Sequence, residues 1–255
     1  METPAFLKPI QSYPGEIVQF IERIPGVDVT GDRETVLERL EPYHKAEVEA
    51  LGWRWKDLRR AEQVHGTRVA LVGDIVDDVL PEENAWTTVS ALAEQWPCFY
   101  VTGNHEWWSG EAERICDQME ALGVHVLRGD AVTAELNGQE ITFCGIDDPD
   151  SGASEQELSQ LENRDKEDSF TILLAHRPEK ISSYLDGAYD LILSGHAHGG
   201  QWRIPGILNG LYAPNQGLFP SYAGGRYSFD GTVFLVSRGL ARESTRIPRI
   251  FNRPE

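Results

Sequence analysis

The sequence predicts an α/β fold. Short apolar runs recur along the chain, helical segments separate them, and each run breaks into a polar turn that often contains glycine. From residue 67 the alternation is regular: strand 68–72, helix 84–95, strand 98–102, helix 111–122 and strand 124–127. Strands joined through helices imply a parallel sheet with right-handed crossovers.

The other elements follow in chain order. Residues 1–15 are Pro-rich and read as an irregular arm. A strand candidate runs from Glu16 to Ile21, and a second spans Val27 to Thr30. Residues 32–63 read mostly as helix, with Val36, Leu37 and Leu40 at helical spacing and Pro42 marking a break. We therefore expect residues 1–66 to be a divergent, mostly helical N-terminal segment, and 67–255 to be the core. Downstream, Val132–Leu136 and Glu140–Cys144 flank Asn137-Gly138, a two-residue hairpin signal. Residues 150–168 are acidic and Ser-rich and hold a short helix and a loop. Strands 170–175 and 190–194 flank helix 178–186. Residues 199–230 read as loop, and strand 232–237 closes the pattern.

Bulk properties narrow the function. A chain of 255 residues can bury a substantial core. No apolar run has the length of a membrane span, and the N-terminus lacks a signal-peptide core. The net charge of −18 excludes general nucleic-acid binding, which needs a basic footprint, and favours attraction of cations. Cys98, Cys116 and Cys144 are widely spaced and contain no C-x-x-C. They read as buried reduced thiols of a cytoplasmic protein.

The chemistry sits where apolar runs end. Leu191-Ile192-Leu193 leads to Gly195-His196-Ala197-His198-Gly199-Gly200. Val69-Ala70-Leu71-Val72 leads to Gly73-Asp74-Ile75-Val76-Asp77, and Phe99-Tyr100-Val101 to Gly103-Asn104-His105-Glu106. A fourth run, Ile172-Leu173-Leu174-Ala175, ends at His176. Taken singly, Asp74 reads as a helix cap and Asn104 as a turn residue. Together the Asp, Asn and His side chains suit divalent metals of intermediate hardness. Trp107 and Trp108 follow directly; either one packs in the core, or the pair stacks on a base or covers an acyl chain. Arg177 either contacts a substrate phosphate or makes a surface ion pair. Asp147-Asp148-Pro149 reads as a turn, and His125 as structural.

This ordered set of G-D-x-x-D, G-N-H-E, a lone His and G-H-x-H resembles the calcineurin-like metallophosphoesterases. Gly199-Gly200-Gln201, Ser237-Arg238-Gly239-Leu240 and Phe251-Asn252-Arg253-Pro254-Glu255 resemble the tail of a bacterial phosphodiesterase-like branch. The resemblance covers roughly residues 67–255. It implies two packed β-sheets flanked by helices. It also implies hydrolysis of a phosphoric ester, a phosphodiester or pyrophosphate, by metal-activated water. Divalent ions (Mn, Fe, Zn or Mg) would serve as cofactors. Asp74, Asn104, His176 and His196 would bind one metal, with Asp74 bridging to a second that His198 helps to hold. His105 would contact the phosphate or protonate the leaving oxygen. Glu106 would orient His105, and Asp77 would act as a support.

The family's first block, D-x-H, is not found in residues 1–68. One metal site is therefore expected, and the second would need a substitute ligand from Glu22, Asp28 or Asp32. The only upstream histidines are His44 and His65. The alternative is a metal-binding scaffold that acts through a partner. The resemblance further implies a small phosphorylated substrate, nucleotide-linked or lipid-linked. The expected location is cytoplasmic or peripheral to the membrane.

Overall fold

The computed structural model describes residues 10–13, 16–18, 68–136, 139–163, 169–204, 207–240 and 249–252. The chain divides into two compact units, Met1–Gln63 and Val64–Glu255. In the first, β1 (Ile10–Tyr13) and β2 (Glu16–Val18) form an antiparallel hairpin with Ile10 opposite Val18. Residues 10–13 are thus a strand rather than part of an irregular arm. The Pro14-Gly15 dipeptide between the two strands is a strong turn signal. The helix expected over 32–63, the strand candidate at 27–30, and Glu22, Asp28, Asp32, His44 and His65 lie outside the described residues.

The second unit is built on two sheets. β3 (Val69–Val72) leads through α1 (Glu83–Ala93) to β4 (Cys98–Val101). Next, α2 (Asn104–Trp108) and α3 (Ala112–Ala121) lead to β5 (His125–Val126). These strands form a parallel sheet in the order β3-β4-β5. β6 (Asp130–Leu136) and β7 (Gln139–Gly145) then pair antiparallel, Leu136 opposite Gln139, leaving a two-residue connection. The chain continues through α4 (Ser154–Glu162), β8 (Phe170–Leu174), α5 (Ile181–Tyr184) and β9 (Leu191–Ser194). β10 (Tyr212–Ala213) and β11 (Gly217–Leu218) make a small hairpin. Last come β12 (Gly225–Phe229) and β13 (Thr232–Val236).

The second sheet has the order β12-β13-β9-β8-β7-β6. β13, β9, β8 and β7 run parallel, while β12 and β6 close the edges antiparallel. β12 is a strand within the stretch expected to be loop. The helix expected over 178–186 is shorter, a 3-10 turn at Pro178–Lys180 followed by α5.

Period-two alternation sorts the strand residues between layers. Ala70 and Val72 of β3 and Phe99 and Val101 of β4 face one way. They meet Phe143, Ile172, Leu174, Leu191 and Leu193 of the large sheet, and the Phe99 and Phe143 rings stack at 3.9 Å. The alternate residues Leu71, Cys98 and Tyr100 pack against Val89 of α1 and Ile115, Cys116 and Met119 of α3. On the far side, Cys144, Leu173, Ile192 and Phe234 pack against Leu158 and Leu161 of α4 and Ile181 and Tyr184 of α5. The result is two sheets face to face with helices outside. Both faces of each central strand are covered, so those strands read as continuous apolar runs.

Candidate metal centre

The parallel strands bring their carboxyl ends to one edge, the usual location for sites in α/β sheets. Asp74 follows β3, Asn104 opens α2 just after β4, His176 follows β8, and His196 and His198 follow β9. The backbone there is strained. Asp74, His196 and His198 have φ of 53°, 60° and 49°, in the left-handed region that L side chains avoid. Such conformations cost of order 1–3 kcal/mol each and persist where the surroundings over-determine them. Gly73, at φ 75°, admits no side chain, because a Cβ there would lie 2.4 Å from His176 Nδ1 and 2.7 Å from Gly103 Cα.

Glu106 holds this turn. Its fully buried carboxylate accepts from the N–H of Asp74 (3.0 Å), Ile75 (2.7 Å), Val76 (3.0 Å) and Gly103 (2.8 Å). Burial and the nearby Asp74 charge push its pKa up, while the N–H groups of Val76 and Gly103 oppose that. Glu106 therefore fixes the loop that carries Asp74, and the role that the resemblance implies for it, orienting His105, falls to another residue. Adjacent residues of a helix point about 100° apart and do not face each other, so a carboxylate one residue past His105 does not meet its ring.

His176 Nδ1 donates to the Val72 carbonyl at 2.7 Å, which leaves Nε2 facing Asp74 Oδ2 at 3.0 Å. Asp74 Oδ1 accepts from the His105 N–H at 3.1 Å. Burial would raise the Asp74 pKa, but His176 and then His105 hold it well below the carboxylate range. Burial works against charge on His176, yet Asp74 and the Val72 carbonyl raise its pKa to about 9. Burial, His176 and Arg177 bring His196 down to about 3, and burial brings His198 down to about 4. At neutral pH those two imidazoles keep their lone pairs.

Among the described residues, Asn104 Oδ1 and His196 Nδ1 are buried without a hydrogen-bond partner, and the one polar atom facing His176 Nε2 is Asp74 Oδ2. Buried polar atoms are nearly always paired. Ligand atoms of Asp74, His176 and His196 lie within 4.8 Å of one another. Asn104 sits between Gly103 and His105, which both touch Asp74. One carboxylate oxygen, one amide oxygen and two imidazole nitrogens fit a divalent ion. His198 stands next to this group, its ring 6.5 Å from that of His196, with Nδ1 3.2 Å from Gln201 Nε2.

His105 points its ring at the same edge. Nε2 is 4.0 Å from Asp74 Oδ2, and Nδ1 is 2.6 Å from Asp78 Oδ1. Asp77 Oδ2 is farther, at 3.7 Å, and its Oδ1 caps the N–H groups of Val79 and Leu80. The residue that orients His105 is thus Asp78, which the motif spacing passes over. Asp77, Asp78 and His105 also form a group of metal-ligating type, partly open to solvent. Trp107 is tied inward by Nε1 to Thr102 Oγ1 at 2.9 Å and carries Arg128 over its ring. Trp108 is exposed, 5.2 Å from the His105 ring, with Nε1 on Asp150 Oδ2 at 2.8 Å.

Arg177 is neither a surface residue nor open to a phosphate. It is buried and donates to both Asp148 oxygens (2.6 and 2.9 Å), to Asp150 (3.0 Å) and to Asn215 Oδ1 (2.9 Å). Asp148, read as a turn residue, is its main anchor. Asn252, which the sequence marks only as part of the C-terminal segment, is a second support. Its Nδ2 donates to the carbonyls of His198 (2.6 Å) and Gln201 (3.2 Å). Gly199 leaves room for it, since a Cβ there would lie 2.2 Å from Asn252 Oδ1.

A family model for calcineurin-like phosphoesterases matches residues 44–200, more than half of the 255-residue chain. The chain belongs to the calcineurin-like phosphoesterase family. It is 30% identical over 194 residues to the metallophosphoesterase YkuE of Bacillus subtilis, covering 73% of this chain and 65% of that one. It is 34% identical over 178 residues to a metallophosphoesterase of Aquifex aeolicus, covering 66% and 62%. With a metallophosphoesterase of Helicobacter pylori, 32% identity extends over 148 residues, 55% of this chain and 39% of the relative. The chain thus spans less than two thirds of the length of these relatives. The donor set at the strand ends, a carboxylate, an amide oxygen and imidazoles, is of the kind that suits a divalent ion.

Proposed function

We propose that this phosphoesterase hydrolyses a phosphodiester or pyrophosphate with one firmly held divalent ion. The observation that carries the reading is the convergence of Asp74, His176 and His196 ligand atoms within 4.8 Å of one another, beside Asn104 Oδ1 and His196 Nδ1, which are buried with no hydrogen-bond partner among the described residues. A bound ion would polarise a phosphoryl oxygen and acidify a water molecule. Asp74, Asn104, His176 and His196 would hold it. His105, with Nδ1 on Asp78, would present Nε2 to the leaving oxygen and give it a proton. Trp108 would offer an exposed indole to a base or acyl chain on the substrate. The reading includes a cytoplasmic protein, in keeping with three buried cysteines that form no disulfide among the described residues.

The test is hydrolysis of bis(p-nitrophenyl) phosphate by purified protein with added Mn²⁺. Turnover that is abolished by Asp74→Asn supports the proposal. Metal uptake without turnover on any diester or pyrophosphate would leave a metal-binding scaffold that acts through a partner.

A further inference from the structure

We infer that Asn215 is a positioning residue that sets the tautomer of His196 and so bares Nδ1 for a metal. The inference rests on the reading of Asp74, His176 and His196 as a metal site. His196 Nε2 has two polar neighbours, Asn215 Oδ1 at 2.9 Å and Arg177 NH1 at 3.2 Å. They demand opposite things. A carbonyl oxygen needs Nε2 to carry a proton, and a guanidinium, which only donates, needs Nε2 to accept. In the first state Nδ1 is a lone pair. In the second, Nδ1 carries a proton in a buried place where it has no partner.

The network resolves the choice. Arg177 NH1 also reaches Asn215 Oδ1, at 2.9 Å, closer than it comes to His196. A guanidinium stays charged and cannot accept, so it turns the Asn215 amide with oxygen inward. A flipped amide would set N–H against N–H. That oxygen has two lone pairs and takes one proton from Arg177 and one from His196. Arg177 itself cannot swing, because Asp148 grips it through both oxygens and Asp150 adds a third contact. A relay of Asp148, Arg177, Asn215 and His196 therefore ends in an uncommitted Nδ1 lone pair, buried beside Asp74 and His176. The Asn215 backbone, at φ 59°, adopts the left-handed conformation that asparagine tolerates better than most residues. Sequence alone hides this residue, which lies 19 positions past His196 in the turn between β10 and β11.

The test reads the tautomer and metal affinity rather than activity. Long-range ¹H–¹⁵N correlation spectra of the metal-free full chain report which His196 nitrogen is protonated, with His196→Gln giving the assignment. The native ring is expected to carry its proton on Nε2. Asn215→Leu removes the acceptor and is expected to move the proton to Nδ1 and weaken Zn²⁺ or Mn²⁺ binding about 10–100-fold. Asn215→Asp keeps an acceptor and should keep the native tautomer and bind within about threefold of native. A native ring protonated on Nδ1 would overturn the inference without recourse to any variant. So would Asn215→Asp binding as weakly as Asn215→Leu, the mark of a merely structural role. A chain that takes up no metal would sink the reading of the site, while the native tautomer would still decide this one.

Discussion

His105 Nδ1 lies 2.6 Å from Asp78 and 3.7 Å from Asp77. That difference decides which acid holds the ring. Asp77 is committed to the turn it caps, so Asp78 fixes the His105 ring and leaves Nε2 toward Asp74. General acid work by a placed side chain is worth roughly 10²–10⁴-fold, so His105→Ala should lower kcat by about that factor. Asp78→Ala should lower it by about tenfold or more through the same ring. Metal content, read by mass spectrometry, should stay at the native level in both. Loss of metal from either variant would make His105 a ligand instead. At this scale the motifs were legible because they name residue types at fixed spacings. Asp78, Asn215 and Asn252 were not, because their roles depend on partners 27, 19 and 54 residues away.

The strands that position the site were readable for a physical reason. β3, β4, β8 and β9 are covered on both faces, so each is an apolar run that ends where the polar edge begins. β12 escaped because only one of its faces packs: Tyr227 and Phe229 lie against the core, and Arg226 and Ser228 alternate with them. α2 escaped because five residues are too few for a period. The clamp of Glu106 on Gly103 and the Asp74 turn holds it in place. The sandwich itself makes an expectation at this scale. Phe143 is 5% exposed and stacks on Phe99 between the sheets. Phe143→Ala should cost about 3–5 kcal/mol in urea denaturation. A cost under about 1 kcal/mol would mean that the two sheets do not share a packed core.

At the scale of the whole molecule, the proposed site would couple metal binding to protons. Without an ion, Asp74 keeps His176 protonated up to about pH 9, while His196 and His198 are neutral above about 3 and 4. A cation bound through His176, as proposed, would therefore displace one proton from it. The sign follows: the apparent association constant should rise about tenfold per pH unit from pH 6 to 8 and level off above about 9. A pH-independent constant across that range would show that His176 is not a ligand. The net charge of −18 adds a general attraction for cations, which salt should weaken. The central claim, however, is one specific site made by four strand ends. Calorimetric titration of the metal-stripped full chain with Mn²⁺ tests it most directly, run beside Asp74→Ala. The native chain should show one tight site, with any second ion only at high metal, and Asp74→Ala should lose the tight one. Two equally tight sites, or an Asp74→Ala chain that titrates like the native, would contradict the account.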